Sequence, residues 1–205
     1  MENPKGMYFK YGKKEITYLS QQDRRLAHVI EQYGKLKRKV IPDIFEALVL
    51  SIISQQISGK AAATVTQRFR DLCGDISAEM ICNIEAASIQ QCGMSFKKAG
   101  YIKTVANAFA EGTIDPGHFP DLDDEAIIAQ LVQLPGIGRW TAEMLLLHSL
   151  QRPDVFSYHD LAIRRGLMSL HNLRELTKAD FEKYRRRYSP YCSIAMIYLW
   201  KHSKP

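Results

Sequence analysis

The chain has 205 residues, of which 46% are hydrophobic and 24% charged, and its formal net charge at pH 7 is +6. This composition allows a sizeable buried core and excludes a disordered, collagen-like or fibrous chain. The positive charge favours a polyanionic partner. The sequence has no long apolar run and its N-terminus is too polar for a signal peptide, so we expect a protein of the cytoplasm, or of the nucleus in a eukaryote, with no membrane partner.

Apolar residues recur at helical spacing along most of the chain, from "LAHVIEQY" to "SIAMIYLW". The pattern predicts an all-α fold of about ten short helices in two lobes. Strand-like alternation occurs only near residues 7–19. We interpret the cationic run "KLKRK" at 35–39 as a solvated loop, with a phosphate contact as the alternative. Seven residues of capping type mark predicted helix starts: Ser20, Asp43, Ser58, Ser77, Asp123, Thr177 and Ser189.

The four cysteines are spread along the chain at positions 73, 82, 92 and 192. Their spacing fits neither a zinc site nor an iron–sulfur cluster. We therefore expect buried free thiols, with no zinc and no iron–sulfur cluster.

The stretch "LVQLPGIGRW" at residues 131–140 interrupts the helical pattern with a Pro and two Gly. It predicts a helix–hairpin–helix over about residues 123–150. Gly136 and Gly138 can take backbone angles closed to other residues, and they leave no side chain between the backbone and an approaching ligand. Their amides then lie at the start of the second helix, where unpaired N–H groups and the helix dipole suit a DNA phosphate. The alternative is a tight turn with no ligand.

Residues 131–167, "LVQLPGIGRWTAEMLLLHSLQRPDVFSYHDLAIRRGL", resemble the signature of the helix–hairpin–helix (HhH-GPD) DNA glycosylase superfamily, and its alkylbase or 3-methyladenine DNA glycosylase II branch in particular. "SIISQQISGKAAATV" at 51–65 and "YSPYCSIAMIYLW" at 188–200 resemble two further segments of that branch. The likeness covers about residues 40–200 and leaves out the first forty. It implies the DNA-glycosylase fold, with residues 1–205 as a single domain whose lobes meet at the active-site cleft.

The resemblance also implies an essential Asp about twenty residues after the second helix of the hairpin begins. Asp160 stands twenty residues beyond Trp140, and Asp154 is a nearer rival. Hydrolysis of an N-glycosidic bond builds positive charge on the sugar, so a buried carboxylate stabilises the transition state or activates water. The other interpretation of Asp160, an N-cap for the next helix, is compatible with catalysis. We leave the adjacent His159 out of catalysis.

In the resembling families that also cut the strand, a Lys occupies the place that Trp140 takes here. The resemblance therefore implies hydrolysis by water without AP lyase activity. An electron-poor methylated purine would stack on Trp140. Tyr191 is expected to face it, at a place where close relatives keep a tryptophan, and Phe156 and Tyr158 complete the predicted substrate pocket. The alternative is that these rings belong to the core.

A base inside a duplex has to be flipped out before it can react. By resemblance the loop "SQQIS" fills the vacancy, with Gln56 as the candidate wedge and Gln55 or Ile57 as alternatives; a buried structural Gln is also compatible with the sequence. The residues predicted to contact DNA are Gln55, Gln56, Ser58, Gly136, Ile137, Gly138, Arg139 and Thr141.

The resemblance implies one further ligand, a Na⁺ or K⁺ ion at backbone carbonyls left free after the first hairpin helix, those of Val132, Leu134 and Ile137. No other cofactor is expected. The function that follows is a monomeric, monofunctional DNA glycosylase. It would release alkylated purines of the 3-methyladenine and 7-methylguanine type from double-stranded DNA, in base excision repair. The alternatives are an oxidised-base or mismatch glycosylase, and a non-catalytic helix–hairpin–helix DNA-binding module.

Overall fold

The computed structural model describes residues 7–203, and within them it shows twelve α-helices, one 3₁₀ helix and no strand beyond an isolated bridge. Residues 1–6 and 204–205, which the sequence assigns to the same single domain, lie outside the described residues. The all-α prediction is confirmed, with a few more helices than expected. The α-helices are α1 Lys13–Gln22, α2 Arg24–Tyr33, α3 Ile44–Ser54, α4 Gly59–Cys73, α5 Ala78–Cys82, α6 Ala86–Gln91, α7 Phe96–Ala110, α8 Asp124–Leu131, α9 Arg139–His148, α10 Leu161–His171, α11 Lys178–Tyr188 and α12 Cys192–His202, with the 3₁₀ helix Pro116–Asp121 between α7 and α8.

The helices form two compact units. Unit 1 comprises Met1–Val40 and Leu146–Pro205, and unit 2 comprises Ile41–Leu145. Unit 1 is therefore made of the two ends of the chain, and unit 2 of its middle.

Helix α12 is the core of unit 1, because its residues from Cys192 to Leu199 are all buried. It packs against α2, α10 and α11. Gly166 of α10 lies against the α12 backbone, and a Cβ at this position would sit 2.7 Å from the carbonyl oxygen of Leu199. The close approach of α10 to α12 therefore requires glycine at position 166.

Helix α7 is central in unit 2, where it packs against α3, α5 and α6. Helix α3 is strongly apolar and packs against both α4 and α7. Its buried residues are Ile44, Phe45, Ala47, Leu48, Val49, Ile52 and Ile53. The connection from α3 to α4 and the hairpin between α8 and α9 both belong to this unit.

Five predicted N-caps are confirmed, because each side chain accepts a backbone N–H in the first turn of its helix: Asp43, Ser58, Ser77, Asp123 and Thr177. Two predictions are wrong. Ser20 lies inside α1, and Asp23 caps α2 instead. Ser189 is the C-cap of α11, and the first amide of α12 donates to the carboxylate of Asp154. A residue distant in sequence thus replaces the local cap.

The strand-like prediction for residues 7–19 is also wrong. Helix α1 covers most of this stretch, and only Tyr8 and Lys39 form an isolated antiparallel bridge. The alternation was too short to outweigh the tertiary packing of α1 against α2. All four cysteines are free thiols, and three of them are buried.

Within residues 7–203, every helix is too short or too polar to cross a membrane.

The carboxylate of Asp23 is the centre of a buried polar cluster in unit 1. Besides capping α2, it accepts hydrogen bonds from the Tyr188 hydroxyl at 2.8 Å and from Arg187 at 3.1 Å, and it lies 3.3 Å from His171 Nε2. Burial by itself would raise the pKa of Asp23. The hydrogen bonds from His171, Tyr188 and the α2 backbone outweigh burial, so that this pKa lies well below its usual range.

We expect Asp23→Asn to lower the free energy of unfolding at pH 7 by about 3 kcal/mol, because it leaves the buried Tyr188 hydroxyl and the Arg187 guanidinium without the anion to which they donate. Asn is itself a good N-cap, so the loss reports on the charge. A depressed pKa stabilises the folded state above the unfolded pKa of about 4, and this contribution disappears as pH falls towards the folded-state pKa. Urea unfolding of both proteins from pH 7 down to pH 3 should therefore show a shrinking difference.

Asp43→Asn is the matched control, since Asp43 also caps a helix but is exposed. We expect it to change the free energy of unfolding by a few tenths of a kcal/mol. Equal effects of the two substitutions would mean that the Asp23 cluster adds nothing beyond capping.

Candidate active site

Asp160 is the N-cap of α10 and only 6% exposed. Its Oδ1 accepts hydrogen bonds from the amides of Ala162 and Ile163, both at 2.9 Å, and its Oδ2 accepts one from Trp200 Nε1 at 3.1 Å. The capping role considered from the sequence is therefore confirmed. The carboxylate is held from two elements, the start of α10 and the last turn of α12.

Besides donating to Asp160, the Trp200 ring contacts two further side chains of unit 1, those of Arg38 and His148. The Arg38 guanidinium lies over the indole ring, 4.6 Å from its centroid, and the His148 ring stacks on it at 5.8 Å. Arg38 Nη2 is 3.3 Å from His148 Nε2. Burial, and after it the charge of Arg38, lower the pKa of His148 to about 4, so His148 is neutral at pH 7. We refer to Arg38, His148, Asp160 and Trp200 as the carboxylate cluster.

The three unit 1 aromatics predicted for the substrate pocket have different surroundings. Phe156 is a core residue, 9% exposed and stacked on Phe181 at 4.6 Å. Tyr158 is half-buried under the Arg164 guanidinium. Tyr191 is half-buried at the start of α12, with its ring edge-on to Tyr18. Their roles as pocket walls stay predictions, and Phe156 is already accounted for by core packing.

Asp154, the rival carboxylate, has a structural position. It accepts hydrogen bonds from the Ser189 hydroxyl at 2.7 Å and from the Cys192 amide at 3.2 Å, and so closes the start of α12. His159 is exposed beside Asp160, with its ring edge-on to Tyr158. Asp154 and Asp160 thus both accept an amide at the start of a helix, and the choice of Asp160 as the reacting carboxylate stays a prediction.

In unit 2, the hairpin turn depends on Gly136. Its backbone has φ of +82°, and an added Cβ would lie 2.4 Å from the ring of Tyr101. A special backbone angle is wrong for Gly138, whose φ is outside the left-handed region, and a Cβ there would meet no atom within 4 Å. Its carbonyl accepts the Ala142 amide at 3.1 Å, so α9 begins directly after it. Gly136 thus allows the turn to pack against Tyr101 of α7, whereas the absence of a side chain at Gly138 leaves open space at the start of α9.

Arg139 joins the two helices of the hairpin. It forms a two-pronged ion pair with Glu125 of α8 and a further bond from Nε to Glu143 of α9 at 2.9 Å. These carboxylates balance the charge of Arg139, whose side chain is 44% exposed. Its predicted contact with DNA stays a prediction, but clamping α8 to α9 is a sufficient reason for its presence.

The other hairpin predictions fall on buried residues. Ile137 is 4% and Thr141 7% exposed, so their side chains are buried, and their predicted contacts with DNA stay predictions. The carbonyl of Leu134, expected to be free for a cation, accepts the Ile137 amide at 3.1 Å. The turn therefore uses one lone pair of this oxygen, and the cation site stays a prediction. Val132 is 36% exposed at the end of α8.

The loop that follows α3 contains the predicted wedge. Gln56 is exposed and has φ of +58°, a backbone conformation that is uncommon for a residue with a side chain. Ile57 is 39% exposed and Ser58 caps α4. Gln55 points elsewhere, because its Nε2 donates to the carbonyl of Gly136 at 2.8 Å. Gln55 therefore ties this loop to the hairpin, and Gln56 is left at its tip.

Lys98 of α7 also forms hydrogen bonds with the backbone at the start of this loop. Its Nζ donates to the carbonyls of Ile53 at 2.9 Å and Gln55 at 2.5 Å, where the last carbonyls of α3 lack helical partners. Burial lowers the pKa of Lys98. Trp140, the remaining predicted pocket residue, is 43% exposed at the start of α9, so it is not a core residue of unit 2.

Sequence reasoning missed most of the carboxylate cluster. In the sequence, Trp200 and His148 stand out only as members of matching segments, and Arg38 only as one cation of a loop. Arg38 and His148 are 110 residues apart, and no local pattern links them. A buried-carboxylate argument could have suggested a donor for Asp160, but not which one.

Comparison with known proteins identifies similar chains. The family model described as "HhH-GPD superfamily base excision DNA repair protein" matches residues 49–190. DNA-3-methyladenine glycosylase 1 of Schizosaccharomyces pombe is 34% identical, with 92% of this chain and 85% of that protein covered. DNA-3-methyladenine glycosylase 2 of Escherichia coli is 34% identical over 77% of this chain and 57% of its own length. The solved structure of an S. pombe 3-methyladenine DNA glycosylase in complex with abasic DNA has a TM-score of 0.82 and 32% identity, covering 92% of this chain and 96% of that one.

The geometry of the turn predicts opposite outcomes for its two glycines. Gly136→Ala should lower the free energy of unfolding by about 3 kcal/mol or more, since it strains the backbone and displaces Tyr101. Gly138→Ala should cost less than about 1 kcal/mol, because its Cβ enters open space. Urea unfolding followed by circular dichroism measures both, and similar losses in the two variants would contradict the geometry.

Proposed function

Because the chain belongs to the HhH-GPD superfamily of base excision DNA repair proteins, we propose that it is a monomeric, monofunctional DNA glycosylase that removes alkylated purines from double-stranded DNA. Relatives named DNA-3-methyladenine glycosylase match most of the chain and support the substrate class. The observation that carries the proposal is the nearly buried and firmly oriented carboxylate of Asp160.

Asp160 acts on the sugar. As the glycosidic bond breaks, positive charge develops on the ring, and a carboxylate in a site of low dielectric stabilises that charge more strongly than in water. The same oxygen atoms can accept a proton from the attacking water molecule. Fixed hydrogen bonds to Oδ1 and Oδ2 remove the need to reorient the carboxylate during the reaction.

Water is the nucleophile in this proposal, and the product is an intact strand with an abasic site. Trp140 stands where the resembling lyases carry an amine. Its exposed indole offers a flat, electron-rich surface to a purine made electron-poor by methylation, a preference of about 0.5 to 2 kcal/mol over an ordinary base.

Gln56 is the wedge that fills the space left by the flipped nucleotide. It lies at the tip of a loop that Gln55 and Lys98 hold in place, so little ordering is required on binding. Backbone amides at the start of α9 contact a phosphate beside the hairpin. The carbonyls of Val132 and Ile137, with the second lone pair of Leu134, would hold an alkali cation that adds positive charge at this turn.

Base release from methylated duplex tests the proposal. We expect Asp160→Asn to bind DNA but to lower the single-turnover rate of 7-methylguanine release by at least about a hundredfold. The amide oxygen can still cap α10, but the amide nitrogen then faces the Trp200 N–H, so a small stability loss is also expected. Released bases are identified by chromatography, and wild-type protein should leave strands that break only after alkali.

Asp154→Asn is the matched control, and we expect it to retain base release within a few-fold because Asp154 closes α12. Wild-type protein that releases no methylated base would refute the proposed function. Loss in Asp154→Asn but not in Asp160→Asn would transfer the reacting role to Asp154.

Gly138→Asp probes the hairpin contact. A carboxylate at the start of α9 should repel a phosphate and weaken binding of damaged and undamaged duplex alike by about 1 to 3 kcal/mol, without changing which base is released. Titrations at fixed salt measure both affinities, with Gly138→Ala as the uncharged control. Unchanged affinity in a folded Gly138→Asp protein would mean that DNA is held elsewhere.

A further inference from the structure

We infer that Arg38 is a positioning residue for Asp160, acting through the ring of Trp200. Arg38 lies in the loop between α2 and α3, and both it and Trp200 are outside the residues matched by the family model. The inference rests on the proposed function of Asp160. It adds to the proposed active site a residue that lies outside both the hairpin and the segment that carries Asp160.

The first step is the orientation of Trp200. Its indole N–H reaches Asp160 Oδ2 only in one orientation of the ring, and the hydrogen bond weakens steeply when donor and acceptor lose alignment. Two side chains contact the ring, the Arg38 guanidinium at 4.6 Å from the centroid and the stacked imidazole of His148. A cation over an indole face is attracted by the ring electrons, which favours this arrangement over a rotated ring.

The second step is the anchoring of Arg38. A guanidinium only donates hydrogen bonds, so its neighbour His148 Nε2 must be the acceptor and therefore unprotonated. A His148 pKa of about 4 keeps the ring neutral at pH 7, and in the tautomer with the proton on Nδ1 its Nε2 accepts from Arg38. The Arg38 backbone is also fixed, because its carbonyl accepts the amide of the buried Phe9 at 2.8 Å. The extended segment at residues 7–10 thus holds the loop that carries Arg38.

The third step is charge. Burial is the larger effect and lowers the pKa of Arg38, and the negative charge of Asp160 opposes part of that shift. Since His148 is neutral, Arg38 is the cation of the carboxylate cluster and Asp160 is its anion. Removal of Arg38 would leave Trp200 less restrained and Asp160 without this cation.

Arg38→Met, Arg38→Lys and Lys37→Met test the inference. Met keeps much of the side-chain volume without the charge, and Lys keeps a cation over the ring. Lys37 is the matched control, because it is the neighbouring cation but lies over the Tyr8 ring, 5.6 Å from its centroid. Each variant is assayed for single-turnover release of 7-methylguanine and for affinity to duplex with a tetrahydrofuran abasic analogue.

We expect Arg38→Met to slow base release about three- to fivefold, as for a cation–π contact of an exposed guanidinium, with no greater loss of DNA affinity than Lys37→Met. Arg38→Lys should recover most of the rate, and Lys37→Met should release base within twofold of wild type. An Arg38→Met rate within twofold of an active wild type would overturn the inference. Loss of affinity without loss of rate at saturating DNA would make Arg38 a phosphate contact instead.

A second readout does not depend on activity. The chain has two tryptophans, so the ¹⁵N spectrum contains two indole N–H resonances, and Trp140→Phe assigns them. The Trp200 resonance should move and exchange faster with solvent in Arg38→Met but not in Lys37→Met. An unmoved resonance refutes the positioning role, whereas an inactive wild type with a shifted resonance would refute only the proposed function.

Discussion

The hydrogen bonds to Asp160 impose the constraint on which unit 1 depends. A carboxylate that is only 6% exposed is costly to bury unless its oxygens are hydrogen-bonded. Its donors come from the first turn of α10 and from Trp200 near the end of α12, so the two helices must approach closely. Gly166 allows that approach, because any side chain there would collide with the Leu199 carbonyl. The packing of α10 against α12 and the hydrogen bonds of Asp160 therefore depend on the same close approach of these two helices.

In unit 2, the corresponding constraint is the backbone conformation of Gly136. Gly136 turns the hairpin with a positive φ, packs against the Tyr101 ring and accepts the Gln55 side chain at its carbonyl. The loop after α3 and the hairpin are thereby one assembly, with Lys98 holding the loop from α7. A DNA-binding surface made of two loops would need such hydrogen bonds to hold the loops in a fixed relative position.

The net positive charge does not translate simply into DNA contacts. Arg139 is balanced by Glu125 and Glu143, Arg38 lies on Trp200, and Lys98 caps the end of α3. These cations organise the protein itself. Phosphate recognition by backbone amides at the start of α9, as proposed, fits a molecule that commits several of its cations to internal contacts.

Local sequence determined much of this protein. Asp160 was chosen through the resemblance to a known family. Independently of that resemblance, apolar periodicity predicted an all-α chain, and capping residues such as Asp43 and Ser58 predicted helix starts. These features depend on residues a few positions apart, whose interactions the chain order already specifies.

Tertiary structure decided what depends on residues distant in sequence. It placed Asp154 rather than Ser189 at the start of α12, made Gly136 rather than Gly138 the turn residue that needs a positive φ, and brought Arg38 and His148 to Trp200. The sequence could propose a carboxylate, but not the side chains that orient it. Contacts of that kind form only when the two ends of the chain pack together in unit 1, and no local period records them.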